Sequence, residues 1–146
     1  MLYLITYHGN VVPVSLAADQ AAAAPQWSLT TDAERTAGWL PGGWQVSHFH
    51  VANHRLYVLM HQGHFWTHKS SGTEVWEFDS ATGRRLKRIK LPEPAQSVAV
   101  SQDAEALLYT IADSERIYAF RVATGKQLYR TKPLGFTPQL LTVWGE

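Results

Sequence analysis

The stretch that decides the fold is VWEFDSATGRRLKRIK, Val75 to Lys90, read beside IYAFRVATGKQLYRTK, Ile117 to Lys132. The two align without a gap at an offset of 42 residues. Phe78 falls on Phe120, Ala81-Thr82-Gly83 on Ala123-Thr124-Gly125, and Leu86 on Leu128. Side chains alternate along Val75 to Asp79, which places Trp76 and Phe78 on one face of a strand. The Asp79-Ser80-Ala81-Thr82-Gly83 turn suits a hairpin whose glycine takes positive φ. A weaker copy, VVPVSLAAD, begins at Val11.

Two further sets of strands surround these hairpins. LYLIT at Leu2, LYVLM at Leu56 and LLYTI at Leu107 precede them, at spacings of 54 and 51 residues. WQVSHFH at Trp44, QSVAVSQD at Gln96 and PQLLTVW at Pro138 form the third set. The repeating unit is therefore a four-stranded antiparallel sheet of roughly 40 to 55 residues, the signature of a β-propeller blade. The apolar LYVLM-type strands fit burial on both faces between stacked sheets. We expect an all-β, partial β-propeller of about three four-stranded blades, too few to close a ring of the usual four to eight. The expected divisions are a blade remnant over 1–29, a helical insertion over 30–43, blades over 44–91 and 96–131, and a closing strand over 137–144. The remnant lacks an inner strand, which would leave Leu2, Leu4 and the Val12 row uncovered.

One segment breaks the β pattern. Thr31 with Glu34 makes a capping box, and Gly38 can end a short helix over Asp32 to Ala37. Pro41-Gly42-Gly43 then turns the chain. A second insertion, HQGHFWTHKSSGT, runs from His61 to Thr73.

Composition narrows the function. The chain has 146 residues, 13 Lys and Arg against 12 Asp and Glu, and no cysteine. That balance offers no basic field for a nucleic acid. No apolar run reaches the ~18 residues of a membrane span. The absence of cysteine removes disulfides, thiolate ligands and a cysteine nucleophile. MLYLITYHGN has no basic region ahead of its apolar stretch and does not read as a signal peptide.

Chemistry-bearing constellations are few. His48 and His50 share a strand face, and His61, His64 and His68 crowd one inserted loop; either set is ordinary polar surface or a fragment of a metal site. RRLKRIK, Arg84 to Lys90, reads as an outer strand whose charges discourage edge pairing, or as an anion site. There is no GxSxG, P-loop or GxGxxG. The chain holds six Trp. Trp76 is expected between blades, whereas Trp39, Trp44 and Trp66 sit in inserted segments and serve either a protein interface or a local core.

AERTAGWLPGGWQ, Ala33 to Gln45, together with Thr67-His68-Lys69, Val100 to Asp103 and Thr137-Pro138-Gln139, resembles the C-terminal region of quinoprotein amine dehydrogenase heavy subunits, the methylamine and aromatic amine dehydrogenases. The resemblance runs from about Leu2 to Val143, with Thr137 where the family can carry glycine. It implies a seven-bladed periplasmic propeller, paired with a small light subunit in a heterotetramer of two heavy and two light chains. It implies that the cofactor, tryptophan tryptophylquinone, sits on that light subunit, so this chain holds no cofactor, metal or catalytic residue. A primary amine would leave as aldehyde and ammonia, and electrons would pass to a blue copper protein of the amicyanin or azurin type. The heavy chain's part is scaffolding. Inserted position and resemblance together mark Trp39, Trp44, Trp66, His68 and Lys69 as candidate contacts to the light subunit. The competing readings are a propeller scaffold without an enzyme partner and a lactonase-like propeller enzyme.

Overall fold

A computed structural model of the protein describes residues 1–17, 20–24, 26–63, 69–135 and 143. Strands β1 (Leu2–Ile5), β2 (Asn10–Ala17) and β3 (Gln20–Ala23) form an antiparallel meander, and the short β4 (Trp27–Ser28) returns to pair with β2. Helix α1 (Asp32–Thr36) follows, then β5 (Trp39–Pro41), β6 (Ser47–His50), β7 (Arg55–Gln62), β8 (Gly72–Asp79), β9 (Arg85–Val100), β10 (Leu107–Ala112), β11 (Ile117–Arg121) and β12 (Lys126–Arg130). From β5 onward the strands form one connected sheet, every strand-to-strand ladder in it antiparallel.

That sheet is two four-stranded units sharing one strand. Residues 85–90 of β9 pair with β8 as the outer strand of one unit, whose other members are β6 and β7. Residues 95–100 of β9 pair with β10 as the inner strand of the next unit, completed by β11 and β12. The sheets are open rather than closed on themselves. This is a partial β-propeller, as the repeats require.

The units stack through two apolar seams. In the first, Leu56, Val58, Met60, Trp76 and Phe78 meet Val11, Leu29, Tyr3, Ile5 and Trp27 of the preceding unit. In the second, Tyr57, Leu59 and Val75 meet Val98, Val100, Leu108, Tyr118 and Phe120 of the following one. Alternate residues of β7 thus feed opposite seams, which is why LYVLM is apolar throughout. Trp76 lies fully buried between units, where its place in the strand puts it.

Both ATG hairpins have the expected glycine geometry, with φ of 72° at Gly83 and 69° at Gly125. Asp79 Oδ1 accepts the amides of Ala81 and Thr82 and holds the first hairpin in shape. The helix is capped as expected: Thr31 and Glu34 exchange reciprocal bonds, and Gly38, at φ 87°, ends the turn.

Four expectations need correction. LLYTI does not align on LYVLM at 51 residues: Leu108, not Leu107, faces Phe120 as Leu56 faces Phe78. The true offset of 52 matters because a one-residue slip would move every side chain to the other face. The inserted loop is shorter than read, because β7 continues through Gln62 and β8 starts at Gly72. His61 is therefore a buried strand residue rather than a loop histidine. The insertion after Thr30 is only partly helical, since Trp39–Pro41 forms β5 against the end of β7. His64, Trp66, His68 and, apart from residue 143, the closing strand expected over 137–144 lie outside the described residues.

Candidate functional site

The AERTAGWLPGGWQ string builds a compact bracket around α1. Glu34 closes the capping box and also receives Arg85 Nη1 at 2.7 Å and Arg88 Nη1 at 3.7 Å. Arg85 lies over Trp76 at 4.5 Å, and Arg88 lies over both Trp76 (4.6 Å) and Trp39 (4.8 Å). Glu74 binds Arg88 through both oxygens and accepts Trp76 Nε1–H at 2.7 Å. Arg85 holds the Glu34 carboxyl below its usual range. Burial pushes Glu74 up, but the bonds from Arg88 and Trp76 outweigh it and bring it below the usual range too.

RRLKRIK is the outer strand that one reading of it expected, and its cations are engaged within the fold. Arg85 and Arg88 pin the insertion to the sheet. Lys87 Nζ donates to the carbonyls of Val122 (2.6 Å) and Ala123 (2.9 Å) and ties its unit to the next.

The Pro-Gly-Gly-Trp-Gln end of the string crosses to the inner strands. Gln45 N donates to Gln96 O at 3.2 Å, and Gln45 O receives Val98 N–H at 3.1 Å. The Gln45 side chain adds a bond to Val98 O at 2.9 Å. A Cβ on Gly43 would stand 2.6 Å from Gln96 O, and its φ is 89°, so this approach demands glycine. Gly43 and Gln45 together hold the inner strands of adjacent units side by side.

The histidines of β6 finish the same seam. His48 Nδ1 accepts the Val100 amide at 2.8 Å, and burial lowers its pKa. His50, fully buried, meets Asp103 O through Nε2 at 2.9 Å and accepts Asn53 N–H on Nδ1 at 3.2 Å. These bonds make both rings connectors across the seam. No cluster of three His, Asp or Glu positioned for a metal occurs among the described residues.

The inserted aromatics separate. Trp39 packs on Trp76, ring centroids 5.3 Å apart, and is half-buried. Trp44 stays 51% exposed, with Lys69 Nζ 5.4 Å from its ring. The two border a groove of about 480 Å³ whose other walls include Tyr3, Ile5, Tyr7 and Pro41. Of the five candidate contacts, the structure brings Trp44 and Lys69 together, places Trp39 in the bracket, and leaves Trp66 and His68 outside the described residues. What sequence missed is Glu74 and the pairing of Glu34 with Arg85 and Arg88: the bracket joins positions 51 residues apart, and no local pattern announces it.

A larger cleft, about 550 Å³, opens where the second seam meets solvent, lined by Arg55, Tyr57, Glu77, Lys87, Glu105 and Arg121. Its charges are consumed internally: Arg55 pairs with Asp79 at 3.1 Å, Tyr57 OH donates to Glu77, and Arg121 pairs with Glu105 at 2.9 Å.

Comparison with known proteins agrees with this geometry. The family model for the methylamine dehydrogenase heavy chain matches residues 1–144. The chain belongs to the methylamine dehydrogenase heavy chain family. It is 35% identical over 136 residues to the methylamine dehydrogenase heavy chain of Methylobacillus flagellatus, covering 92% of this chain and 34% of that one. It is 36% identical over 138 residues to the Paracoccus versutus heavy chain, covering 94% of this chain and 32% of that protein. The Methylorubrum extorquens heavy chain is 34% identical over 137 residues, 93% of this chain and 33% of its own length. This heavy-chain segment thus spans about a third of the length of the relatives it matches. Among its described residues, no helix is long and apolar enough to cross a membrane.

Proposed function

We propose that this chain is part of the heavy subunit of a periplasmic amine dehydrogenase, acting as scaffold for a light subunit that carries tryptophan tryptophylquinone. The quinone on the partner would supply the redox chemistry, taking a primary amine to aldehyde and ammonia and passing electrons to a blue copper protein. The complete assembly would be a heterotetramer. In this reading 1–29 is a blade remnant, 30–43 the inserted bracket, 44–91 and 96–131 whole blades, and 137–144 the strand that closes the ring.

The observation that carries the docking proposal is the Trp44–Lys69 pair beside its groove. The bracket and Gln45 fix the backbone on either side of Trp44, yet half of the indole faces solvent. A large aromatic held rigid and exposed is the usual anchor of a protein interface, because little entropy remains to be lost on binding. Lys69 adds a cation for an acidic or carbonyl-rich partner surface. Trp66 and His68, close in sequence to Lys69, extend the proposed contact, and Trp39, packed on Trp76 in the bracket, is proposed as a further part of it. The test mixes a complete heavy chain containing this segment with purified light subunit and follows capture and amine-dependent dye reduction. Trp44→Ala is expected to weaken capture at least tenfold and Lys69→Glu severalfold. Unchanged capture in both variants removes the docking proposal. Absence of amine-dependent reduction in the unmutated mixture removes the amine dehydrogenase reading.

A further inference from the structure

The repeated units serve as controls for one another. On the side of the sheet that meets the second seam, Tyr57 of β7, Glu77 of β8 and Lys87 of β9 stand opposite one another in a cross-strand row. The following unit places Tyr109, Ala119 and Tyr129 in the same row. In the preceding unit Tyr3 faces Pro13. The repeat keeps the tyrosine and drops the charges, so the stacking of units does not call for Glu77 or Lys87. Placing a carboxylate against an apolar seam is costly, yet Glu77 is only 8% exposed.

This row lines the cleft of about 550 Å³ at the mouth of the second seam. Small-molecule sites fall in the range of roughly 300–1,000 Å³ and combine apolar walls with a few placed polar groups. Here the buried Tyr57, Ala106 and Val122 supply apolar wall, and Arg55, Lys87 and Arg121 supply cations. Glu77 is engaged: it accepts Tyr57 O–H at 3.3 Å and lies 3.7 Å from Arg55 Nε. Arg55 is engaged a second time by Asp79.

Lys87 stands apart from those pairs. Although it lies opposite Glu77, it forms no ion pair among the described residues. Its Nζ donates to the carbonyls of Val122 and Ala123, which spends two of three N–H groups and sets no carboxylate against the charge. Arg121, next in sequence to Val122, pairs with Glu105, but the two side chains are 43% and 86% exposed. A pair so open to water is weak and yields to a competing anion.

We propose that the cleft binds a small organic carboxylate, its head group on Lys87 and Arg121 and its apolar body against Tyr57, Ala106 and Val122. The site goes beyond the subunit reading and is separate from the proposed docking surface. Arg55 opens β7, whereas Pro41, in the wall of the Trp44 groove, pairs with Met60 near the other end of that strand.

Amide NMR titrations of the isotopically labelled 146-residue chain test it. The probes are benzoate, benzyl alcohol, which has the same ring without the charge, and benzylammonium, which reverses the charge. Benzoate is expected to shift the amides of Tyr57, Lys87 and Val122 saturably and to bind at least tenfold more tightly than benzyl alcohol, and benzylammonium to leave them unmoved. Lys87→Met should weaken benzoate at least tenfold and Arg121→Gln severalfold. Lys126→Gln, which removes a cation on β12 outside the cleft, should leave the affinity unchanged. If Lys87→Met disturbs the spectrum of the free chain, Arg121→Gln decides alone. Absence of benzoate shifts at the cleft, equal binding of the alcohol, or benzoate affinity untouched by Arg121→Gln overturns the proposal.

Discussion

Glu34 shows how much one side chain can hold. It caps α1, pairs with Arg85, and sets the guanidinium planes over Trp76 and Trp39. Losing a cap costs about 0.5–2 kcal/mol, and a partly buried ion pair adds to that. Glu34→Ala is expected to lower stability by about 2 kcal/mol in chemical denaturation, and Glu34→Gln by less because the amide oxygen can still cap. The two hairpin glycines give a matched comparison. Both have positive φ, but a Cβ on Gly83 would meet the Trp27 side chain at 2.7 Å, whereas on Gly125 the nearest contact is Ile89 at 3.9 Å. Gly125→Ala should cost about 1 kcal/mol, the left-handed penalty alone. Gly83→Ala should cost clearly more, because Trp27 must move out of the first seam. Sequence showed that both positions need glycine. It could not show that a strand from the preceding unit crosses above only one of them.

At the scale of the element, periodicity carried most of the fold and failed where it was one residue out. The alternation in VWEFD, with its copy at IYAFR, placed Trp76, Phe78, Tyr118 and Phe120 on the seam faces where they lie. LLYTI misled because leucine stands at both Leu107 and Leu108, and either phase looks apolar. The bond between strands, not hydropathy, selects Leu108. Removing the central side chain of the first seam, Trp76→Ala, is expected to cost about 3–5 kcal/mol. The β6 strand predicts a pH response. His48 is held neutral by burial, so its folded pKa lies below the ordinary 6.5. Its contribution to stability is complete above pH 6.5 and is lost as pH falls toward the folded value, because the unfolded chain takes the proton first. Glu34, lowered from 4.5, adds a second loss at pH below 4.5 as its carboxylate protonates. Melting temperature followed against pH should show both declines. His48→Gln, whose amide oxygen can accept the Val100 N–H, should flatten the first and leave the second.

For the whole molecule, the two seams are equivalent and the outer face of the first unit is their unfilled counterpart. Leu56 and Val58 are 3% and 0% exposed because a preceding unit covers them. Leu2 and Leu4, at the matching positions, are 44% and 49% exposed, and Leu16 on the same sheet is 64% exposed. A contiguous apolar face of this kind marks an interaction surface. The sequence made the matching positions legible, since LYLI repeats the LYVLM strand. It could not say how Trp44 and Lys69 meet, because that depends on the close backbone approaches of Gly42 to Ser70 and of Gly43 to Gln96. As parts of a partial β-propeller, these units are sectors of a larger ring. Hydroxyl-radical labelling read by mass spectrometry, on the 146-residue chain and on a complete heavy chain containing it, tests that claim most directly. Leu2, Leu4 and Leu16 should label readily in the short chain and fall to the level of Leu56 and Phe78 in the complete one. Equal labelling of the three leucines in both proteins would contradict it.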